Sequence, residues 1–181
     1  MQLLWRRLER PGHEFVRLTE DAAGARLDGV ALFAHDGAPC RLDYAIVLDR
    51  DWRTCSATVH GFVGERAIDE TIEVQDGRWL LDGAHVEAVS GCIDVDLNFS
   101  PSTNLLPIRR LGLAEGEEAT VAAAWLRFPS FTLERLEQTY RRESANRYRY
   151  SSAGGAFVAR LVVNEAGLPL DYEGLWRVEE A

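Results

Sequence analysis

Residues 67–81 read AIDETIEVQDGRWLL, and this stretch decides the fold class. Ile68, Ile72 and Val74 fall in phase at even spacing, which puts them on one side of a strand. Asp76-Gly77 follows, a dipeptide that accepts the positive φ angles of a tight two-residue hairpin, and Arg78-Trp79-Leu80-Leu81 forms the return strand. The pattern repeats outward from here. Arg41 to Leu48 places Leu42, Tyr44, Ile46 and Leu48 on one face, and Thr58 to Val63 alternates in the same way. Turn signals stand at strand-like intervals: Pro11-Gly12, Gly24, Asp28-Gly29, Asp36-Gly37, Asp82-Gly83, Gly154-Gly155 and Ala166-Gly167. Short strands at this spacing, without long intervening helices, predict an all-β chain built from antiparallel sheet.

The C-terminal third continues the style. Ala122 to Phe128 reads as a strand stopped by Pro129, Arg147 to Tyr150 alternates, Phe157 to Val163 places Phe157, Ala159, Leu161 and Val163 on one face, and Leu168 to Val178 closes the chain. Phe131 to Glu143 carries both a helix stripe (Leu133, Leu136, Tyr140) and a strand alternation (Phe131, Leu133, Arg135). Its flanking strands favour a long strand with a bulge near Arg135-Leu136. A short helix is expected near Pro101 to Leu106. No linker or low-complexity stretch divides the sequence, so residues 1–181 are expected to form one domain.

The composition narrows function. The chain has 181 residues and a formal net charge of −9, and all 20 of its positive residues are arginine. An acidic surface repels phosphate backbones and anionic headgroups, so neither nucleic acid nor a polybasic membrane contact is expected. No apolar run approaches a membrane span, and the first twelve residues lack the apolar core and cleavage site of a signal peptide, which makes the cytoplasm the expected location. Cys40, Cys55 and Cys92 form no CxxC pair and are expected to be buried free thiols. His13, His35, His60 and His85 are dispersed, with no metal-ligand spacing. No phosphate-cradling glycine loop or nucleophile elbow occurs, so no metal, no other cofactor and no nucleophilic catalysis are expected. No motif bears on oligomeric state.

Residues 91–113, GCIDVDLNFSPSTNLLPIRRLGL, carry most of the functional information. On a strand, Ile93, Val95, Leu97 and Phe99 point one way while Asp94, Asp96 and Asn98 form a polar ladder with ~6.6 Å between neighbours. Such a ladder needs solvent, a cation, an arginine or a hydroxylated ligand beside it. The Asp-x-Asp-x-Asn spacing resembles a calcium loop, but Phe99 and Leu105 occupy the positions of its glycine and its bidentate glutamate. Read as a strand, Ile108 to Leu113 sends one of Arg109 and Arg110 towards the apolar interior, where it must be paired, with Asp94 and Asp96 the nearest candidates. That arrangement serves equally as an internal ion pair or as a site for a polar ligand head.

The stretch Asp94-Val95-Asp96-Leu97, Ser100-Pro101, Thr103-Asn104 and Leu106-Pro107-Ile108-Arg109-Arg110-Leu111 resembles the hallmark of the bacterial glycolipid-binding family. Trp52-Arg53-Thr54, Tyr148-Arg149-Tyr150 and Gly167-Leu168 to Asp171-Tyr172 fit the same family, so the resemblance covers essentially the whole chain. It implies a spiral β-roll or incompletely closed barrel, similar in layout to bacterial lipoprotein carriers, with one or two short helices at most. It also implies a glycolipid or lipid held, without catalysis, in an apolar hollow of the curved sheet. Asp94, Asp96, Asn98, Thr103 and Asn104, with Arg109 and Arg110, are then the candidate polar contacts. Trp52, Trp79, Trp125, Trp176, Tyr148 and Tyr150 are candidates to stack on a sugar face, and Trp125, Tyr148 and Tyr150 complete a candidate site of ten residues. Two other readings remain at this stage: a glycoside hydrolase using Asp94 and Asp96 as a carboxylate pair, and a structural or protein-interaction module.

Overall fold

A computed structural model describes residues 1–179. The Asp-Gly turns behave as their chemistry requires: Asp36-Gly37 (φ 49° and 78°), Asp76-Gly77 (51° and 75°) and Asp82-Gly83 (50° and 77°) each place both residues in the left-handed region. The N-terminal strands are β1 (Gln2–Arg7), β2 (Gly12–Glu20), β3 (Ala25–His35), β4 (Ala38–Leu48), β5 (Thr54–Val63), β6 (Arg66–Gln75), β7 (Arg78–Leu81) and β8 (Ala84–His85). After β9 (Asp94–Leu97) and the helix α1 (Leu105–Leu111) come β10 (Glu118–Arg127), β11 (Thr132–Ser144), β12 (Arg147–Ser152), β13 (Phe157–Val163), β14 (Pro169–Tyr172) and β15 (Trp176–Val178). Among the described residues no helix is long and apolar enough to cross a membrane.

All fifteen strands form one sheet in the order β8-β7-β6-β5-β4-β3-β2-β1-β15-β14-β13-β12-β11-β10-β9. The sheet rolls up without closing into a barrel. Every ladder is antiparallel except the last, where β9 runs parallel to β10. Side-chain and backbone bonds tie the two halves across the opening. Val95 N donates to Thr54 Oγ1 (3.0 Å), Trp79 Nε1 to the Cys92 carbonyl (3.0 Å), and Arg66 Nη1 to the Pro129 carbonyl (3.1 Å).

Much of the inside of the roll is filled. Concave-face side chains such as Trp5, Leu27, Leu42, Ile46 and Ile72 are fully buried, and so are Leu97, Phe99, Leu105 and Leu106. The 97–108 segment therefore plugs the roll as its central core layer. The hollow that the resemblance implied is narrowed to the space this segment leaves beside it.

Several local readings also change. Residues 108–111 are helical, so the strand reading of Ile108 to Leu113 fails: a 3-10 turn at Ser102–Asn104 leads into α1, and Gly112 (φ 54°) ends it. Pro107 is tolerated because the first helical turn has no intrahelical use for its missing N–H. The strand expected over Phe131 to Glu143 does form, from Thr132 to Ser144 with Phe131 left in the preceding turn, but the irregularity lies at Arg142 to Ser144 opposite β12, not near Arg135. Leu168 to Val178 breaks into β14 and β15. Cys55 is exposed, unlike Cys40 and Cys92, because it sits on the outward side of β5. Asp28-Gly29 is no turn but the middle of β3, where Gly29 faces Tyr44 across the ladder. A Cβ at Gly29 would lie 2.2 Å from the Tyr44 ring, so the glycine clears the path by which that ring crosses β3 to reach β2.

Candidate functional site

The plug leaves a cavity of about 350 Å³ between itself and the C-terminal half of the sheet. One wall is polar and comes from the plug: Asp96, Asn98, Ser100 and Asn104. The other is aromatic and comes from the sheet: Trp125 on β10, Tyr150 on β12, Phe157 on β13, Tyr172 on β14 and Trp176 on β15. Tyr150, Phe157 and Tyr172 meet edge to face, with ring centroids 5.9, 6.0 and 6.2 Å apart, which fixes their orientations.

Asp96 accepts a hydrogen bond from Gln138 Nε2 at Oδ2; among the described residues Oδ1 has no partner. Burial is the main influence on this carboxyl and pushes its pKa up to about 6, opposed by the Gln138 bond. Tyr140 Oη donates to Asn104 Oδ1 (3.0 Å), and Asn104 Nδ2 donates to the Pro101 carbonyl (3.0 Å), so the amide is locked at the cavity edge. Asn98 Oδ1 accepts from the Phe128 amide (3.1 Å). Burial raises the phenols of Tyr140 and Tyr172 well above 10, so both remain neutral hydroxyls.

Behind Ser100 lies a group that the sequence reading missed. Glu14 is fully buried on the inward side of β2, in phase with Val16 and Leu18. Its Oε1 accepts from Tyr44 Oη (2.7 Å) and Ser100 Oγ (2.5 Å), while Oε2 has no partner among the described residues. Tyr44 Oη is also 2.8 Å from Ser102 Oγ. Burial dominates and lifts the Glu14 pKa to about 8, against the opposing pull of the two hydroxyls and Arg7. A carboxyl at a strand position that alternation assigns to the core was the visible signal.

The ten predicted residues divide. Asp96, Asn98, Asn104, Trp125 and Tyr150 line this cavity. Asp94 does not: 1 % exposed, it is gripped bidentately by Arg110, Nε to Oδ1 (3.0 Å) and Nη2 to Oδ2 (2.5 Å). The two aspartates thus part company, one as an internal ion pair and one at the cavity. Thr103 is buried, with Oγ1 near the Ser100 carbonyl (3.5 Å), inside the turn that shapes the plug. Helicity turns Arg109 outward, where it stacks on Trp52 (4.5 Å) and bonds Glu20 (3.1 Å). Arg109 and Tyr148 line a different hollow. Leu136, Ser152, Ala153, Phe157, Tyr172 and Leu175 also line the first cavity and are brought beside residue 96 only by the fold, as is Trp176, one of the candidate stacking aromatics.

No curated protein matches the chain. It is similar to a crystal structure of a DUF1089 family protein from Pseudomonas aeruginosa, with 33 % identity over 91 % of each chain and a TM-score of 0.80. The model of the family described as "Putative glycolipid-binding" matches residues 2–178. Because that match runs from the first residue of β1 to the last of β15, taking in the plug and both walls of the cavity, the chain belongs to this family.

Proposed function

We propose that the chain binds the sugar-bearing head of a glycolipid in the 350 Å³ cavity and performs no chemistry on it. The observation that carries this reading is the pairing of a partly satisfied carboxylate, Asp96, with a facing wall of fixed aromatic rings. Carboxylate and amide oxygens accept from vicinal hydroxyls, and ring faces suit the C–H face of a pyranose. The volume is near the low end of small-molecule sites, ~300–1,000 Å³, so it suits a head rather than a whole lipid. Hydrolysis is less well supported, because Asp96 is the single carboxylate among the lining residues and Asp94 is held by Arg110.

The test is titration with octyl glucoside below its micelle concentration, read by tryptophan emission, since Trp125 and Trp176 line the cavity. Saturable binding is expected. Asp96→Asn should weaken it by roughly ten- to a hundredfold, the value of one charge-assisted hydrogen bond. Affinity should also fall as pH drops through about 6, where Asp96 takes up its proton. No saturable change, or a response indifferent to Asp96, overturns the reading.

A further inference from the structure

The hollow lined by Arg109 and Tyr148 measures about 760 Å³ and lies at the other end of the same strands. Each of β11 to β14 contributes to both hollows: Leu136 and Arg142 on β11, Tyr150 with Ser152 and Tyr148 on β12, Phe157 and Val163 on β13, Tyr172 and Leu170 on β14. Buried Tyr140 and Leu161 occupy the strand positions between the two, so they are separate spaces.

Their chemistry differs. The second hollow has an apolar floor of Ile108, Val163, Ala166 and Leu170, and two guanidinium groups flank it. Arg109 is held over Trp52 and paired with Glu20. Arg142 donates to the carbonyls of Leu113 (2.7 Å), Ala145 (2.8 Å) and Ser144 (3.2 Å), and no carboxylate pairs with it among the described residues. Those three bonds leave two of its five N–H groups free. A half-buried cation without a counter-charge is unexpected in a chain of net charge −9. Glu165, at the rim, is exposed. Trp52 adopts φ 62°, a costly conformation for a bulky side chain, and in doing so presents its ring to Arg109.

We propose that this hollow is a second binding site, for a single-chain amphiphile with a carboxylate head, a fatty acid. Arg142 supplies the charge and hydrogen bonds, and the apolar floor takes the start of the chain. The site is independent of the sugar reading of the first cavity.

Sodium decanoate, with neutral decanol as the comparison, tests it on the whole chain by amide chemical-shift mapping and affinity measurement. Decanoate should perturb Asn146, Asn164 and Gly167 saturably, and decanol should bind at least about tenfold more weakly, the worth of a charge-assisted bond. Arg142→Gln should weaken decanoate by a similar factor. Arg109→Gln, at an exposed position that leaves the fold intact, should weaken it severalfold, and Asp96→Asn should leave it unchanged. Absence of saturable binding, equal affinity for decanol, or shifts confined to Trp125 and Ser152 would overturn the second site. The last of these results would leave the octyl glucoside test of the first cavity standing.

Discussion

Replacing Glu14 with glutamine should abolish the pH dependence that this one residue imposes on stability. In the unfolded chain the carboxyl ionises near 4.5; in the fold it holds its proton to about 8. The native state therefore binds more protons than the unfolded state across this interval. The stability contributed by neutral Glu14 is fully present below 4.5 and is lost as pH rises through about 8. At about 1.4 kcal/mol per pH unit the loss approaches about 5 kcal/mol, of which about 4 kcal/mol falls between pH 5 and pH 8. Glutamine keeps the oxygen that accepts from Tyr44 and Ser100. Its amide replaces the O–H of protonated Glu14 at the unpartnered Oε2 position and adds one further N–H donor, a pH-independent cost of about 1–3 kcal/mol. Glu14→Gln should therefore be less stable than the parent near pH 5 and more stable near pH 8. Urea denaturation at both pH values measures this, and the contribution of Asp96, common to both proteins, cancels. Parallel stability curves for the two proteins would refute the argument.

The two neighbouring arginines should separate sharply in stability. Arg110→Ala leaves Asp94 buried without its cation and should cost about 3–5 kcal/mol, whereas Arg109→Ala removes an exposed pair and should cost below about 1 kcal/mol. Equal losses in chemical denaturation would contradict the helical register of α1. Gly29→Ala should destabilise by at least about 1–3 kcal/mol, because its methyl would enter the Tyr44 ring. It should also raise the apparent pKa of Glu14, because the phenol whose hydrogen bond lowers it is drawn away, seen as a pH-dependent loss of stability that extends to higher pH; an unchanged curve would show that the ring does not depend on that gap.

Local patterns made the strands legible. Period-two alternation located most of them, and the Asp-Gly dipeptides fixed their hairpins because few residues accept two successive positive φ angles. Asp28-Gly29 misled for the same reason: the glycine serves a ring on the next strand, which no local pattern records. The stretch from Ile108 to Leu111 is too short to distinguish periods of 2 and 3.6, and the register of α1 then decided which arginine met Asp94. Half of the candidate site was legible because the plug residues lie close together in sequence. Of the aromatic wall, Trp125, Tyr150 and Trp176 were candidates from the sequence, but Phe157 and Tyr172 were not, since they come next to Asp96 only through the rolling of the sheet. Glu14 was readable from its phase with Val16 and Leu18, but a lone acid among apolar neighbours gains meaning only with Tyr44 and Ser100 beside it.

The strand order has a consequence for where this chain tolerates a break. Every ladder but one joins strands that follow each other in sequence; the exception is β1 with β15, which meet through Trp5–Val178, Arg6–Arg177 and Arg7–Trp176 in the interior of the sheet. The outer borders, β8 and β9, come from the middle of the sequence and share no ladder. Severing the backbone between His85 and Asp94 would thus interrupt no strand pairing, while deleting β1 or β15 would split the sheet near its centre. Topologically the strands from β10 through the β15–β1 seam to β8 form one antiparallel meander, and β9 joins its far border in parallel, across the connection that carries α1.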